Sequence, residues 1–213
     1  VYERNGLIMK DGFVKVAAAT PSIRVADTAH NAAAIMDMMA KAAVERAKIL
    51  ALPELCITGY TCGDLFLQKA LLEDAIAALE RIAEYSRGLD MLIFAGLPVE
   101  ADGGLYNCAA AVYDGRLLGL VPKANLPNYG EFYEKRWFVP GGPKVREIVF
   151  GEFGSVPFGT DLLFRHAGLP ELCLAAEICE DLWVPGPPSV RHAMAGATVI
   201  VNLSASNEVV TKD

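Results

Sequence analysis

The sequence of 213 residues is short of the features that would tie it to a membrane, a nucleic acid or an oxidising compartment. No apolar run approaches the roughly 20 residues needed to cross a bilayer, and residues 1–12 lack the basic-then-apolar order of a secretory leader. These absences set the expectation of a cytoplasmic protein with no membrane partner. Positive charge is also scarce: 19 Lys and Arg stand against 26 Asp and Glu, a net charge of −7. The basic residues are scattered rather than striped, which argues against a nucleic-acid face. Histidine occurs at positions 30, 166 and 192 only, none beside a cysteine. Cysteine occurs five times, at 56, 62, 108, 173 and 179. An odd count, with Cys108 and Cys173 inside apolar runs, fits reduced thiols rather than a disulfide framework. Cys56 and Cys62, like Cys173 and Cys179, have five residues between them, wider than the usual zinc spacing, so no metal is expected. Phosphate-binding glycine loops and the G-x-S-x-G elbow are missing as well, which disfavours a nucleotide-binding domain or a serine hydrolase.

What is present is apolar: 53% of residues are hydrophobic and 21% charged, enough for one large core and one domain. The opening Val and the lack of a closing element after the last strand set the further expectation that this is part of a longer polypeptide. Residues 13–20 read as a strand. Residues 26–50 carry Ile35, Met38, Met39, Ala42, Ala43 and Ala47 at helical spacing, with Asp27 as N-cap. Residues 49–52 read as a second strand and 65–87 as a second helix stopped by Gly88. Residues 91–99, 105–113 and 116–121 read as strands, the last two joined by Asp114-Gly115, a strong hairpin signal. Residues 123–142 form an aromatic-rich loop of the kind that lines sites. Beyond it, 145–150, 161–166, 172–179 and 197–203 read as strands and 189–195 as a short helix. The order predicts an α/β fold with a mixed sheet covered by helices on one face.

Three segments place reactive groups where apolar strands run out. The run Leu172–Ile178 breaks at Cys179 into Glu180-Asp181-Leu182-Trp183. Leu52-Pro53 leads to Glu54, and Val121-Pro122 to Lys123. A thiol with a pKa of about 8.5 is mostly protonated at neutral pH, so a nucleophilic cysteine needs a base or a positive neighbour. Glu54 suits the base. Lys123, with the backbone N–H after Cys179, suits the oxyanion formed when a thiolate attacks an amide carbonyl. Each residue has an ordinary alternative: a buried structural thiol, a solvated loop carboxylate, a surface lysine. Their joint placement at strand ends favours the chemical reading.

Read together, FVKVAAATP, LPELCITGYTCGDLF, KANLPNYGEFYEKRWFVPG, EICEDLWVP and NLSASNE resemble the nitrilase, or carbon-nitrogen hydrolase, superfamily, and within it the N-terminal glutaminase domains of glutamine-dependent NAD synthetases. The resemblance runs from about residue 13 to the end. It implies a Glu54, Lys123, Cys179 triad and an additional glutamate at Glu134, with Glu131 the less favoured candidate. It also implies a glutamine pocket using Tyr60, Tyr129, Phe132, Glu180 and Ser206, lined by Ser204 and Trp183; Glu180 would meet the substrate ammonium, and Ser206 with backbone donors its carboxylate. The implied fold is an α-β-β-α sandwich of mixed sheets with helices on the outer faces, its four layers completed when two domains pair. The chain is shorter than a complete family domain, so its C-terminal elements are expected to be missing. The synthetase half is absent, and with it the sites for ATP and deamido-NAD; the glutaminase step itself implies no cofactor. A homo-oligomer is expected. The resulting expectation is hydrolysis of glutamine to glutamate and ammonia through a cysteine thioester, with the ammonia passed to a synthetase domain of the same full-length polypeptide. The alternatives are a stand-alone nitrilase-type amidase for another small amide and a catalytically inert assembly module.

Overall fold

The computed structural model describes residues 13–207 and Val210; Glu208, which ends the NLSASNE segment, lies outside the described residues. Among the described residues ten strands and three α-helices follow one another as β1 (Val16–Ala18), α1 (Thr28–Val44), β2 (Ile49–Ala51), α2 (Lys69–Tyr85), β3 (Leu92–Ala101), β4 (Gly104–Tyr113), β5 (Arg116–Pro122), β6 (Arg146–Val149), β7 (Ser155–Phe158), β8 (Phe164–Arg165), β9 (Cys173–Ile178), α3 (Pro188–Met194) and β10 (Val199–Leu203). They build two sheets rather than one: a seven-stranded sheet in the order β1-β2-β3-β4-β5-β7-β6 and a three-stranded sheet in the order β10-β9-β8.

Side-chain alternation along the central strands explains the stacking, because successive residues on a strand face opposite sides. On β3, Ile93, Ala95 and Leu97 join the core under α1 and α2, with Ile35, Met39, Leu79 and Ile82, whereas Phe94 points the other way. On β4, Cys108, Ala110 and Val112 face the helices, and Ala109 and Ala111 face Leu174, Ala176 and Ile178 of β9. Phe94 meets Phe164 edge to face at 5.6 Å across this second core. The short helix α3 packs on the far side of β9. The layers are therefore helix pair, large sheet, small sheet, helix, all within one chain. That corrects two expectations, a single mixed sheet and four layers formed only when domains pair: the second sheet covers the face that was left free.

Several boundaries also differ. Residues 63–67 wind as a 3-10 turn and α2 begins only at Lys69. The stretch 161–166 contributes just two strand residues, and β7 was not foreseen. Asp27 does cap α1, its carboxylate accepting the His30 amide at 3.0 Å. Asp114 and Gly115 have φ of 47° and 78°, and Asp102 and Gly103 have 49° and 76°, so two turns with consecutive positive φ fold β3, β4 and β5 into a meander. All five cysteines are free and buried. Among the described residues no helix is long and apolar enough to cross a membrane.

β2 runs parallel to β3, β3 antiparallel to β4, and β4 antiparallel to β5. The C-terminal ends of β2 and β5 thus lie at the same end of the large sheet, together with the N-terminal half of β4. The residues after β2, β5 and β9 converge there.

Candidate active site

Glu54 leaves β2 on a tight turn in which Leu55 takes φ +51° and the Ile57 amide donates to the Gly96 carbonyl of β3 at 3.1 Å. The turn lies so close to β3 that a Cβ on Gly96 would stand 2.2 Å from the Leu55 nitrogen and 2.7 Å from the Glu54 carbonyl carbon. Glycine is required at that point. Lys123 follows β5, its amide donating to the Asn107 carbonyl of β4 at 2.8 Å. Cys179 opens a 3-10 turn after β9 with φ +44°, a left-handed conformation that costs a non-glycine residue about 1–2 kcal/mol and that concentrates at functional sites. Asp181 holds this turn: its carboxylate accepts the amides of Ile178, Ala124 and Asn125 and the Asn125 side chain, at 2.7 to 3.3 Å. One carboxylate thereby ties the segment after Lys123 to the segment carrying Cys179.

The centre of the site is a buried ion cluster. Lys123 Nζ lies 2.7 Å from Glu54 Oε1 and 2.6 Å from Glu134 Oε1, and all three side chains are no more than 2% exposed. Glu134 comes from a 3-10 turn in the aromatic loop, and Tyr60 Oη also donates to its Oε1, at 2.8 Å. Asn107 Nδ2 donates to Glu54 Oε1 at 2.6 Å, and the Ala205 amide to Glu54 Oε2 at 3.2 Å. Burial opposes the charge on Lys123, but the two carboxylates outweigh it and hold its pKa above the ordinary value. Burial raises Glu134; Lys123 pulls it back and Glu54 pushes it up further. Tyr60 is raised by burial and by Glu134, so it remains a phenol donor at neutral pH.

Cys179 is 8% exposed. Burial raises its pKa, and the negative charge of Glu54 adds to that; Lys123 and hydrogen bonds from Ser204 and Ser206 act in the lowering direction without cancelling it. The resting group is a thiol in the field of a carboxylate and an ammonium, an arrangement suited to nucleophilic attack with the proton handed to a neighbouring base. Among the described residues no group of three or more His, Cys, Asp or Glu side chains is placed to hold a metal ion.

The outer residues divide. Phe132 bridges two tyrosines edge on, at 6.3 Å from Tyr60 and 6.0 Å from Tyr129. Tyr129 Oη donates to Glu180 Oε2 at 2.7 Å, so these four form a connected wall beside the cluster. Ser204 donates to Asn202 Oδ1 at 2.6 Å as well as contacting the thiol. Trp183 is 72% exposed and closes the turn that carries Cys179 through its amide to the Glu180 carbonyl. Glu131 is exposed and pairs with Asn207, away from the lysine. A cavity of about 530 Å³ bounded by Ala124, Asn125, Lys135, Phe138 and Glu180 adjoins this side. Another, of about 580 Å³ between α2, the β3–β4 turn and β6, is remote from it. Sequence reasoning missed Asn107 and the Asp181 tie. A polar residue inside the apolar strand run LYNCAAAVY was the available signal for the first.

The carbon-nitrogen hydrolase family model matches residues 15–212. A glutamine-dependent NAD(+) synthetase of Mycobacterium tuberculosis is 43% identical over 195 residues, covering 92% of this chain and 29% of that protein. The crystal structure of a glutamine-dependent NAD(+) synthetase from Cytophaga hutchinsonii superposes with a TM-score of 0.81 at 33% identity, covering 93% of this chain and 32% of that one. A mutant amidase from Nesterenkonia sp., carrying the acetamide moiety of fluoroacetamide covalently at its active-site cysteine, superposes with a TM-score of 0.70 at 25% identity, over 97% of this chain and 70% of that one. The chain thus spans about a third or less of the length of the synthetases it matches.

Proposed function

The chain belongs to the carbon-nitrogen hydrolase family, and on that premise we propose that it hydrolyses the side-chain amide of glutamine to glutamate and ammonia through a thioester on Cys179. The observation that supports this most directly is the fully buried lysine held between two glutamates, beside a thiol on a strained turn. A buried ion cluster is a poor source of stability, and its geometry suits amide chemistry.

In the first step Cys179 Sγ attacks the amide carbonyl carbon, forming the C–S bond while the thiol proton passes to Glu54. The carbonyl pair moves to oxygen, where the ammonium of Lys123 stabilises it. Collapse breaks the C–N bond; Glu54 gives its proton to the departing nitrogen, and ammonia leaves. Water then attacks the thioester with Glu54 taking its proton, the C–S bond breaks, and Cys179 recovers its proton. Glu134 orients the lysine and, through it, the amide. In the outer pocket Glu180 meets the substrate ammonium, Ser206 the substrate carboxylate, and Tyr60, Tyr129 and Phe132 enclose the chain between them, with Ser204 and Trp183 at the edges.

None of these steps needs a cofactor. The synthetase relatives support a synthetase domain as the partner within a full-length polypeptide; in the role proposed here that domain would hold ATP and deamido-NAD and use the ammonia for amidation, in the cytoplasm and in a homo-oligomer. A second reading, an amidase for another small amide, is favoured by the Nesterenkonia likeness, since this chain covers 70% of that amidase. Ammonia release from glutamine and from a panel of short amides separates the two. Glutamine should be the preferred substrate, and mass spectrometry of the quenched reaction should show an acyl adduct on Cys179. Preference for a short amide would favour the second reading, and an undiminished rate in Cys179→Ala would remove both.

A further inference from the structure

Asn107 is 1% exposed on β4, flanked by apolar neighbours, and its side chain is used on one side only. Its Nδ2 donates to Glu54 Oε1 at 2.6 Å, whereas its Oδ1 is buried with no hydrogen-bond partner among the described residues. A buried acceptor left unpaired is destabilising, and a native protein that keeps one calls for an explanation. A hydrophobic residue of similar shape would avoid the penalty altogether. What the amide supplies is a donor aimed at one oxygen of one carboxylate. The same residue's backbone carbonyl accepts the Lys123 amide at 2.8 Å, so Asn107 fixes both the acid and the start of the lysine side chain.

We infer that Asn107 is a positioning residue for Glu54, locking the carboxylate so that Oε2 is the oxygen that exchanges protons with the thiol, the leaving nitrogen and water. Glu54 Oε1 accepts both Asn107 Nδ2 and Lys123 Nζ, at 2.6 and 2.7 Å. Both of its lone pairs are thereby engaged. Among the described residues Oε2 accepts only the Ala205 amide, at the longer distance of 3.2 Å, which leaves it a lone pair for a proton. Lys123 alone cannot impose this choice: an ammonium donates in any direction, and this one is already shared with Glu134. A planar amide carried on the central strand of a meander defines the carboxylate plane.

The inference rests on the amidase reading, with Glu54 as its base, and the test keeps the two apart. Asn107→Leu keeps the shape and removes the donor; Asn107→Asp keeps the shape and sets a second acid against Oε1. Losing a donor to the ionised form makes the carboxylate harder to ionise. The acidic limb of kcat/KM for glutamine should therefore move up by about one pH unit in Asn107→Leu. It should move further in Asn107→Asp, where two adjoining acids cannot both ionise. In both variants kcat should fall roughly tenfold or more while KM stays within about twofold, since the substrate pocket is untouched. A purely structural role would lower the melting temperature and the yield of active protein, leaving the pH profile of the folded fraction in place. Should Asn107→Leu not fold, Asn107→Asp carries the same readout. An unshifted acidic limb in a folded variant, with Cys179→Ala inactive, overturns the role of Asn107 alone. Full activity in Cys179→Ala overturns the amidase reading beneath it.

Discussion

Replacing Lys123 with methionine keeps most of the apolar stem of the side chain and removes the charge that two buried carboxylates share. Breaking a buried ion pair costs about 3–5 kcal/mol, because the surviving charge is left uncompensated. Here Nζ lies 2.7 Å from one carboxylate and 2.6 Å from the other, so the substitution strands two. Two anions confined to one dry site cannot both stay ionised, and the variant takes up a proton as it folds. The sign of the resulting pH dependence follows from Glu134, which burial raises and Lys123 draws back down in the native protein. A carboxyl whose folded pKa lies above its unfolded value contributes stability fully below the unfolded value and loses it as pH rises through the folded one. Without the lysine, that loss extends to higher pH. The stability gap between wild type and Lys123→Met should be widest at about pH 8 and narrow by up to about 1.4 kcal/mol per pH unit towards about pH 5. Urea unfolding of both proteins across that series measures it. A gap that stays flat with pH, or stays below about 1 kcal/mol throughout, would refute the claim that both carboxylates depend on this lysine.

Three further outcomes follow from the local geometry. Cys179→Gly should be about 1 kcal/mol more stable to urea than Cys179→Ala, reversing the usual order, because φ is +44° there and only glycine adopts it freely; an alanine variant of equal stability would show that the turn is unstrained. Gly96→Ala would press a Cβ to 2.2 Å from the Leu55 nitrogen. It should cost about 3 kcal/mol and abolish ammonia release, whereas a wild-type melting curve would contradict the close approach of the two backbones. Asp181→Asn turns an amide N–H towards at least one of four donors. A loss of about 2–3 kcal/mol in chemical unfolding is expected, with a lowered kcat; full stability together with full activity would rule out the tie.

The parts of this architecture that could be read from the sequence are those where a local pattern has one physical meaning. Helical spacing of Ile35 and Met39, the Asp27 cap and the Asp114-Gly115 hairpin each specify an element without reference to the rest of the chain. The second sheet was hidden for the opposite reason. Strands buried on both faces carry no alternation, so β3 and β9 read as plain apolar runs that could serve any central strand. β7 escaped because four residues containing Pro157 argue against a strand, and Pro is tolerated only where a ladder bond can be spared. The segments holding Glu54, Lys123 and Cys179 stood out as strand ends. The pairing of Lys123 with Glu134 rather than Glu131 depends on how a loop of aromatic residues folds back, which no local rule specifies.

Strain and burial at this site point the same way. Leu55 and Cys179, one beside Glu54 and the other the proposed nucleophile, hold positive φ. The lysine between their turns is removed from water, and two buried acceptors, Asn107 Oδ1 and Glu134 Oε2, have no hydrogen-bond partner among the described residues. A chain selected for stability alone would shed each of these, since left-handed backbone, a buried charge and an unpaired acceptor are each destabilising. They persist at the one place where two sheets end together, and there the packed cores on either side of the large sheet supply the stability that offsets them.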